Sequence, residues 1–282
     1  MATLTTTTAD YAWRPDDVAF AAEDVVPQAL ILTTSTISGD IDGDQPSLHV
    51  AFVTDAGQDG TGAVYKAEGA DLTDEEPGLD EVLVHTKKLT RLATISNEQF
   101  RKAPTATQVA TSFARDLVRK ADYDYLGSVS NPTGLLNASG ITHAAAPVQD
   151  SLDALVDLLA ELEVKGATPS AIILDPLSWA AFRKFKVAET YNESLLGAGT
   201  ADATPMLLSL PVKRSRFLPE NTGLVVDKNA IASAVGPVRV SQSEHAAFRS
   251  DATVVKATWR IGWTPVRPER IGQFTVGDIS GS

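Results

Sequence analysis

Four histidines, His49, His85, His143 and His245, have the widest chemical repertoire in this chain, and they are scattered. Imidazole chemistry at a metal needs two histidines about one helical turn apart, as in His-Glu-x-x-His, or a carboxylate at ligand spacing. Neither pattern occurs, so each histidine reads as a surface or packing residue. Cysteine is absent, which removes a thiolate nucleophile, a thiolate metal site and a disulfide framework. GAGTADA supplies Gly197 and Gly199 but no third glycine and follows no strand, so it is no dinucleotide fingerprint. GSVSN lacks the closing glycine of a nucleophile elbow, which leaves Ser128 and Ser130 as loop serines. ADLTDEEPGLDE is acidic, but it lacks the alternating ligands, central glycine and closing glutamate of a calcium loop. The expectation is therefore no catalytic residue, no cofactor and no metal.

What stands out instead is charge. AEGADLTDEEPGLD (67–80) gathers six carboxylates in fourteen residues without one Lys or Arg. The net charge is −12, from 24 bases and 36 acids. Residues 40–82 hold twelve acids and one base, Lys66, whereas residues 83–282 hold nineteen acids and twenty-two bases. An acidic arm on a mildly basic body has two readings, a solvated loop or an intermolecular contact. The complementary basic runs are RKFK, with Arg183, Lys184 and Lys186, and KRSR, with Lys213, Arg214 and Arg216. Nucleic-acid binding would want aromatic residues interleaved with such bases, and these runs lack that pattern.

The elements that would position these charges can be read from periodicity. Residues 1–47 carry loop signals at Gly39, Gly43 and Pro46 and read as an extended arm. SLHVAFV alternates apolar residues at Leu48, Val50 and Phe52, a short strand, and AVYKAEG reads as a second. EVLVHTKKLTRLATIS is β-branched and apolar over about fifteen residues, long enough to extend roughly 50 Å. Residues 48–80 are thus a glycine-rich β excursion too poor in apolar residues to build a core. An isolated hairpin is marginal in water, so this one must lie on another surface, and a second subunit is the better match to its charge.

Ser96 and Gln99 have capping-box spacing, and Pro104 is expected to interrupt the helix they start. A longer helix is expected over 107–125, with Val109, Phe113, Leu117 and Ala121 on one face. Ser151 is expected to cap a helix whose apolar face is Leu152, Leu155, Val156, Leu159 and Leu162, with Lys165-Gly166 as its stop. AIILDP reads as a buried strand whose Asp175-Pro176 opens a helix over LSWAAFRKFK. Residues 189–205 read as a loop, and the remainder as short strands and turns, giving class α+β. The N-terminus is not a signal peptide, and no apolar run is long enough to span a bilayer.

The succession of segments resembles the major capsid protein of tailed bacteriophages, the Hong Kong ninety-seven fold. The resemblance is carried by the β excursion with its AEGA turn, KKLTRLATIS entering a long helix, and the NPTGLLN loop. It continues through AIILDPLSWAAFRKFK, LPVKRSRFLPENTG and AFRSDATVVKATWRIGWTPVRPERI, and covers roughly residues 25–276. It implies an N-terminal arm over 1–47, an E-loop over 48–80 and a first P-domain part with the spine helix over 81–126. It further implies an A-domain over 127–208, a second P-domain part over 209–259, and a return to the A-domain and tail over 260–282.

On this resemblance the chain is a non-enzymatic structural protein. It would assemble into hexamers and pentamers of an icosahedral head in the virion, after synthesis in the bacterial cytoplasm, and enclose double-stranded DNA without sequence-specific binding or a membrane. The E-loop acids Glu68, Asp71, Asp74, Glu75 and Glu76 would reach an adjacent subunit, with Lys184, Lys186, Lys213 and Arg214 as receivers. Some relatives join an E-loop lysine to a P-domain asparagine. Lys66 is the excursion's one lysine, and Asn221 and Asn229 fall in the region of its partner, but the neighbouring residues match no crosslinking signature. With some twenty-odd residues before the match, a separate scaffolding protein is expected, along with a portal and decoration proteins. An encapsulin-like nanocompartment shell shares the fold and is the alternative; a soluble enzyme is the other.

Overall fold

The computed structural model describes residues 17–41, 43–53, 65, 79–100, 103–149, 151–188, 191–194 and 205–277. In chain order the first elements are β1 (Asp17–Phe20), α1 (Ala22–Val25), α2 (Leu30–Thr34), β2 (Thr36–Asp40), β3 (Ser47–Val53) and β4 (Leu79–Ser96). Helices α3 (Asn97–Phe100) and α4 (Ala103–Gly127), strand β5 (Thr142–His143) and helix α5 (Asp153–Val164) follow. Next come β6 (Ala171–Leu174), α6 (Pro176–Phe182), β7 (Lys186–Ala188), β8 (Tyr191–Ser194), β9 (Met206–Leu207) and β10 (Leu210–Arg214). The chain closes with β11 (Thr222–Val226), β12 (Ile231–Val235), β13 (Val238–Ala247), β14 (Ala252–Pro265) and β15 (Gly272–Thr275).

Strand β14 organises the first sheet. Its alternating sequence sends Val255, Ala257, Trp259, Ile261 and Trp263 to one side, where all are buried against the main core. One edge of β14 pairs antiparallel with β4, from Ala252↔Ser96 to Gly262↔Thr86. Its other edge pairs with β13 along its first half and with β12 along its second. β1 extends the sheet beside β13, and β2 extends it, in parallel, beside β12. The stretch before β3 is therefore not a bare extended arm over its described part: Ala22, Val26, Ala29, Leu30 and Ile31 are buried in the core.

Helix α4 crosses the buried side of this sheet. At 1.5 Å per residue its 25 residues span about 37 Å. Phe113, Leu117, Ala121 and Tyr125 recur every fourth residue and are buried, with Val109 packed at their end. Pro104 does not interrupt it. The helix begins at Ala103, and a proline in the first turn removes an N–H that has no intrahelical acceptor there. At the far end the Tyr125 ring packs edge-on against Trp263 at 5.4 Å, and the Trp263 indole donates to the Thr133 carbonyl at 2.8 Å.

The second sheet has the order β5-β15-β11-β6-β10-β9. Its centre, β6, is buried at every residue, runs parallel to β10 and antiparallel to β11. Asp175 ends β6 and caps α6, its Oδ2 accepting from the Leu177 and Ser178 amides at 2.9 and 3.1 Å. Helix α6 stops at Phe182, so Lys186 lies in β7 rather than in a continued helix. Helix α5 packs through Leu155, Leu158 and Leu162. Val156, expected on that face, is instead exposed, because the register follows the 155, 158, 162 spacing and turns Val156 outward. Leu152 occupies the cap position of α5, and the Ser151 hydroxyl, one residue earlier, accepts from the Asp153 amide at 3.4 Å. Gly166 closes the helix with a φ of 75°, a conformation that side chains resist. Within the expected loop over 189–205, Tyr191–Ser194 forms β8 against β7. Residues 209–259 contribute to both sheets, since β10 and β11 pair in the second.

Candidate functional site

β4 is one unbroken strand of 18 residues with two different partners. Thr86–Ser96 belongs to the first sheet, whereas Leu79–His85 pairs with β3 from Leu79↔Val53 to His85↔Ser47. The hairpin therefore leaves the sheet as a continuation of one of its strands. At about 3.3 Å per residue, Leu79 lies roughly 30 Å from Lys88 along the strand. The exit is at Gly262, opposite Thr86, where a Cβ would overlap the His85 carbonyl, so only glycine lets β4 pass this closely.

The inner end of the hairpin is seated on its own chain. Val84 is fully buried in a small cluster with Ile41, Ala232 and Ala234, and Leu48 and Val50 pack against it. Toward the outer end Ala51, Asp80 and Glu81 are exposed, and on the other face the His49 imidazole meets the Glu81 carboxylate in open solvent. The five expected acidic contact residues, Glu68, Asp71, Asp74, Glu75 and Glu76, lie outside the described residues, as does Lys66.

The expected basic receivers all map to the second sheet and its helices. Lys184 is exposed just after α6, Lys213 is half-buried and Arg214 exposed on β10, and the Lys186 side chain is outside the described part. None of Lys184, Lys213 or Arg214 forms an ion pair among the described residues. Asn221 sits at a left-handed turn (φ 60°) before β11, and the Asn229 amide is capped by Asp227. Among the described residues no group of three or more His, Asp or Glu could hold a metal ion.

A second basic surface was not visible in the sequence. Cross-strand partners share a face, so the pairs Lys88↔Arg260, Thr90↔Thr258, Leu92↔Lys256 and Arg239↔Thr258 put Lys88, Arg239, Lys256 and Arg260 together on the side of the first sheet away from α4. Asp44 sits at the edge of this face, 3.3 Å from both the Lys88 ammonium and the Arg260 guanidinium. The hydrogen bond and charge of Lys88, then those of Arg260, hold the Asp44 carboxyl below its ordinary range. Arg260 also donates to the Thr86 hydroxyl at 3.0 Å and the Gln45 carbonyl at 3.2 Å.

The N-terminal segment is fixed to the long helix by a separate polar contact. The Leu30 amide, at the start of α2, donates to Asp122 Oδ1 on α4 at 2.8 Å. Burial pushes the Asp122 carboxyl up to about 6, and the Leu30 bond only partly offsets it.

Two sheets, each with its own buried cluster, a long helix across the first and a hairpin projecting from its edge are the arrangement of a capsid shell protein of the Hong Kong ninety-seven type. The chain belongs to the phage capsid family, whose model matches residues 39–275. The capsid of a native GTA particle is similar to it in structure, with a TM-score of 0.65, 17% identity, and 88% of this chain and 90% of that one covered. A chain of Mycobacterium phage Adephagia is similar over the whole of both chains, with a TM-score of 0.64 at 11% identity. A virus-like particle from Pyrococcus furiosus is similar with a TM-score of 0.58 at 17% identity, covering 89% of this chain and 94% of that one. No curated protein matches the chain in sequence. Among the described residues no helix is long and apolar enough to cross a membrane.

Proposed function

We propose that this chain is the major capsid protein of a tailed phage. It assembles through repeated contacts between identical copies into the hexamers and pentamers of an icosahedral head enclosing double-stranded DNA. The observation that carries this reading, beyond family membership, is the hairpin that β4 carries away from its own sheet. Its outer end exposes Ala51, Asp80 and Glu81, and such an edge is stable when a neighbouring copy covers it.

In this reading residues 48–80 are the E-loop, α4 is the spine helix of the P-domain, and the second sheet forms most of the A-domain. Glu68, Asp71, Asp74, Glu75 and Glu76 meet basic groups of the adjacent copy, with Lys184, Lys186, Lys213 and Arg214 as candidates on the A-domain. One exposed ion pair contributes at most about 1 kcal/mol, but several per copy repeated around a closed ring give avidity and fix register. A separate scaffolding protein, a portal and decoration proteins complete the assembly, and the chain performs no catalysis.

Expression of the chain alone, followed by size-exclusion chromatography and negative-stain microscopy, tests the reading. Capsomers or closed shells are expected; a monodisperse monomer under every condition overturns it. The similarity to the virus-like particle from Pyrococcus furiosus favours a second reading, a shell that encloses protein cargo. Shells isolated from the native source and carrying nucleic acid support the phage head, and shells carrying an enzyme support the compartment.

A further inference from the structure

We propose that the polar cleft on the open face of the first sheet binds a phosphate oxyanion, held by Arg239, Lys256 and Arg260 around the hydroxyl of Thr258. The inference goes beyond the shell reading and does not depend on it. Strand register makes the site. Thr258 lies opposite Arg239 across the β13–β14 ladder, with Lys256 and Arg260 two residues away on either side of it along β14. Directly opposite residues stand about 5 Å apart and alternate residues of one strand about 7 Å. Three cationic side chains therefore start within one side-chain length of a single hydroxyl. Lys88, opposite Arg260 on β4, adds a fourth base, and with Asp44 these groups line a cleft of about 110 Å³.

Two observations point from the cleft to a ligand. Thr258 is only 8% exposed, and its hydroxyl has no hydrogen-bond partner among the described residues. A hydroxyl so enclosed is normally paired. The Nε of Arg260 is likewise buried without a partner, although the same guanidinium reaches Asp44, Thr86 and Gln45 through its other nitrogens. Arg239 and Lys256 have no partner among the described residues either. The cleft thus holds two uncompensated positive charges and an unused hydroxyl.

Asp44 indicates the ligand class. Its carboxylate bridges Lys88 and Arg260 at 3.3 Å, so one side of the cleft already accepts an oxyanion. A carboxylate presents two oxygens in one plane. A phosphate carries up to two negative charges and presents its oxygens tetrahedrally, so it can meet a guanidinium fork, an ammonium and a hydroxyl together. Glu23 and Asp40 face an adjoining cleft that shares Arg239, and neither forms an ion pair with it. No aromatic side chain lines the phosphate cleft, so a nucleobase has nothing to stack on there. The phosphate is therefore either a free ion or one group of a nucleic-acid backbone lying on the open face.

Isothermal titration calorimetry of the full chain with sodium phosphate at pH 7.5, ionic strength held constant with sodium chloride, tests the site. Saturable binding is expected. It should be about tenfold weaker in the double variant Arg239→Gln with Lys256→Gln, since each lost charge-assisted hydrogen bond is worth about that factor or more. Asp44→Asn should bind more tightly, because a competing carboxylate is gone. Thr258→Val keeps shape and charge and should bind more weakly, whereas Thr258→Ser keeps the hydroxyl and should bind like wild type. Without phosphate, the Tm of the double variant should match wild type, because neither side chain has a partner in the fold. Duplex DNA titrated in parallel separates the two sources. Binding of inorganic phosphate identifies the free ion. DNA binding that depends on Arg239, Lys256 and Thr258, with inorganic phosphate failing to bind, identifies the backbone phosphate. Absence of both, or binding unchanged in the double variant, overturns the proposal. Binding that falls in the double variant but not in Thr258→Val marks an adventitious ion only, drawn by surface charge, and also overturns it.

Discussion

The Leu30 amide donates to Asp122 Oδ1 at 2.8 Å, and this bond fastens helix α2 to α4 across 92 residues of sequence. Three residues along α4, the buried Tyr125 hydroxyl lies 3.1 Å from Thr34 Oγ1 at the other end of α2. The N-terminal segment is thus pinned at both ends of one short helix to the element that braces the first sheet.

Asp122 makes this attachment sensitive to pH. Its carboxyl is raised by burial from 3.8 to about 6, so the folded state binds its proton more tightly than the unfolded chain. Below pH 4 both states are protonated and no cost arises. As pH rises from about 4 to about 6 the cost of ionising a buried carboxyl appears, reaching an order of 2–3 kcal/mol above that window. Asp122→Asn keeps an acceptor for Leu30 and removes the charge. Thermal unfolding should show the variant more stable than wild type at pH 7.5 and equal to it at pH 4.

Gly262→Ala should disturb the exit of the hairpin. The added methyl meets the His85 carbonyl, and overpacking of this kind costs about 1–3 kcal/mol. Thermal unfolding reads that cost. Hydrogen exchange should also rise at Thr86 and Val84, whereas α5 and α6 keep wild-type protection.

Replacing Asp74, Glu75 and Glu76 by Asn, Gln and Gln should impair shell formation while leaving the folding of the chain intact. Analytical ultracentrifugation of the variant beside wild type reads the first effect and circular dichroism the second. Unchanged assembly removes these acids from the contact.

Asp175→Ala should destabilise the second sheet's packing by about 1–2 kcal/mol, because it strips the acceptor from the first turn of α6. Asp175 is 2% exposed, so water cannot readily replace the lost carboxylate. Denaturant unfolding at constant m-value measures the loss.

The elements with strong local signals were legible in the sequence. β4 follows from its β-branched run, α4 from the spacing of Phe113, Leu117 and Ala121, and α6 from Asp175-Pro176. What escaped depends on partners far along the chain. β2 is a strand because it pairs with β12 nearly two hundred residues later, as in Thr36↔Ala232, and TISGD alone carries no such signal. The basic face is the same kind of feature: Lys88, Arg239, Lys256 and Arg260 are solitary bases until the register of three strands brings them to one side. The two basic runs are legible because their charges are adjacent in sequence, and that adjacency says nothing of what faces them.

In the shell reading, the hairpin carried by β4 is held by an adjoining copy of the same chain. Cryo-electron microscopy of the assembled particle tests it directly. Density for residues 66–81 is expected against a second copy, with carboxylates within ion-pair distance of that copy's basic side chains. A hairpin lying wholly on its own subunit, with no other chain in contact, would contradict it.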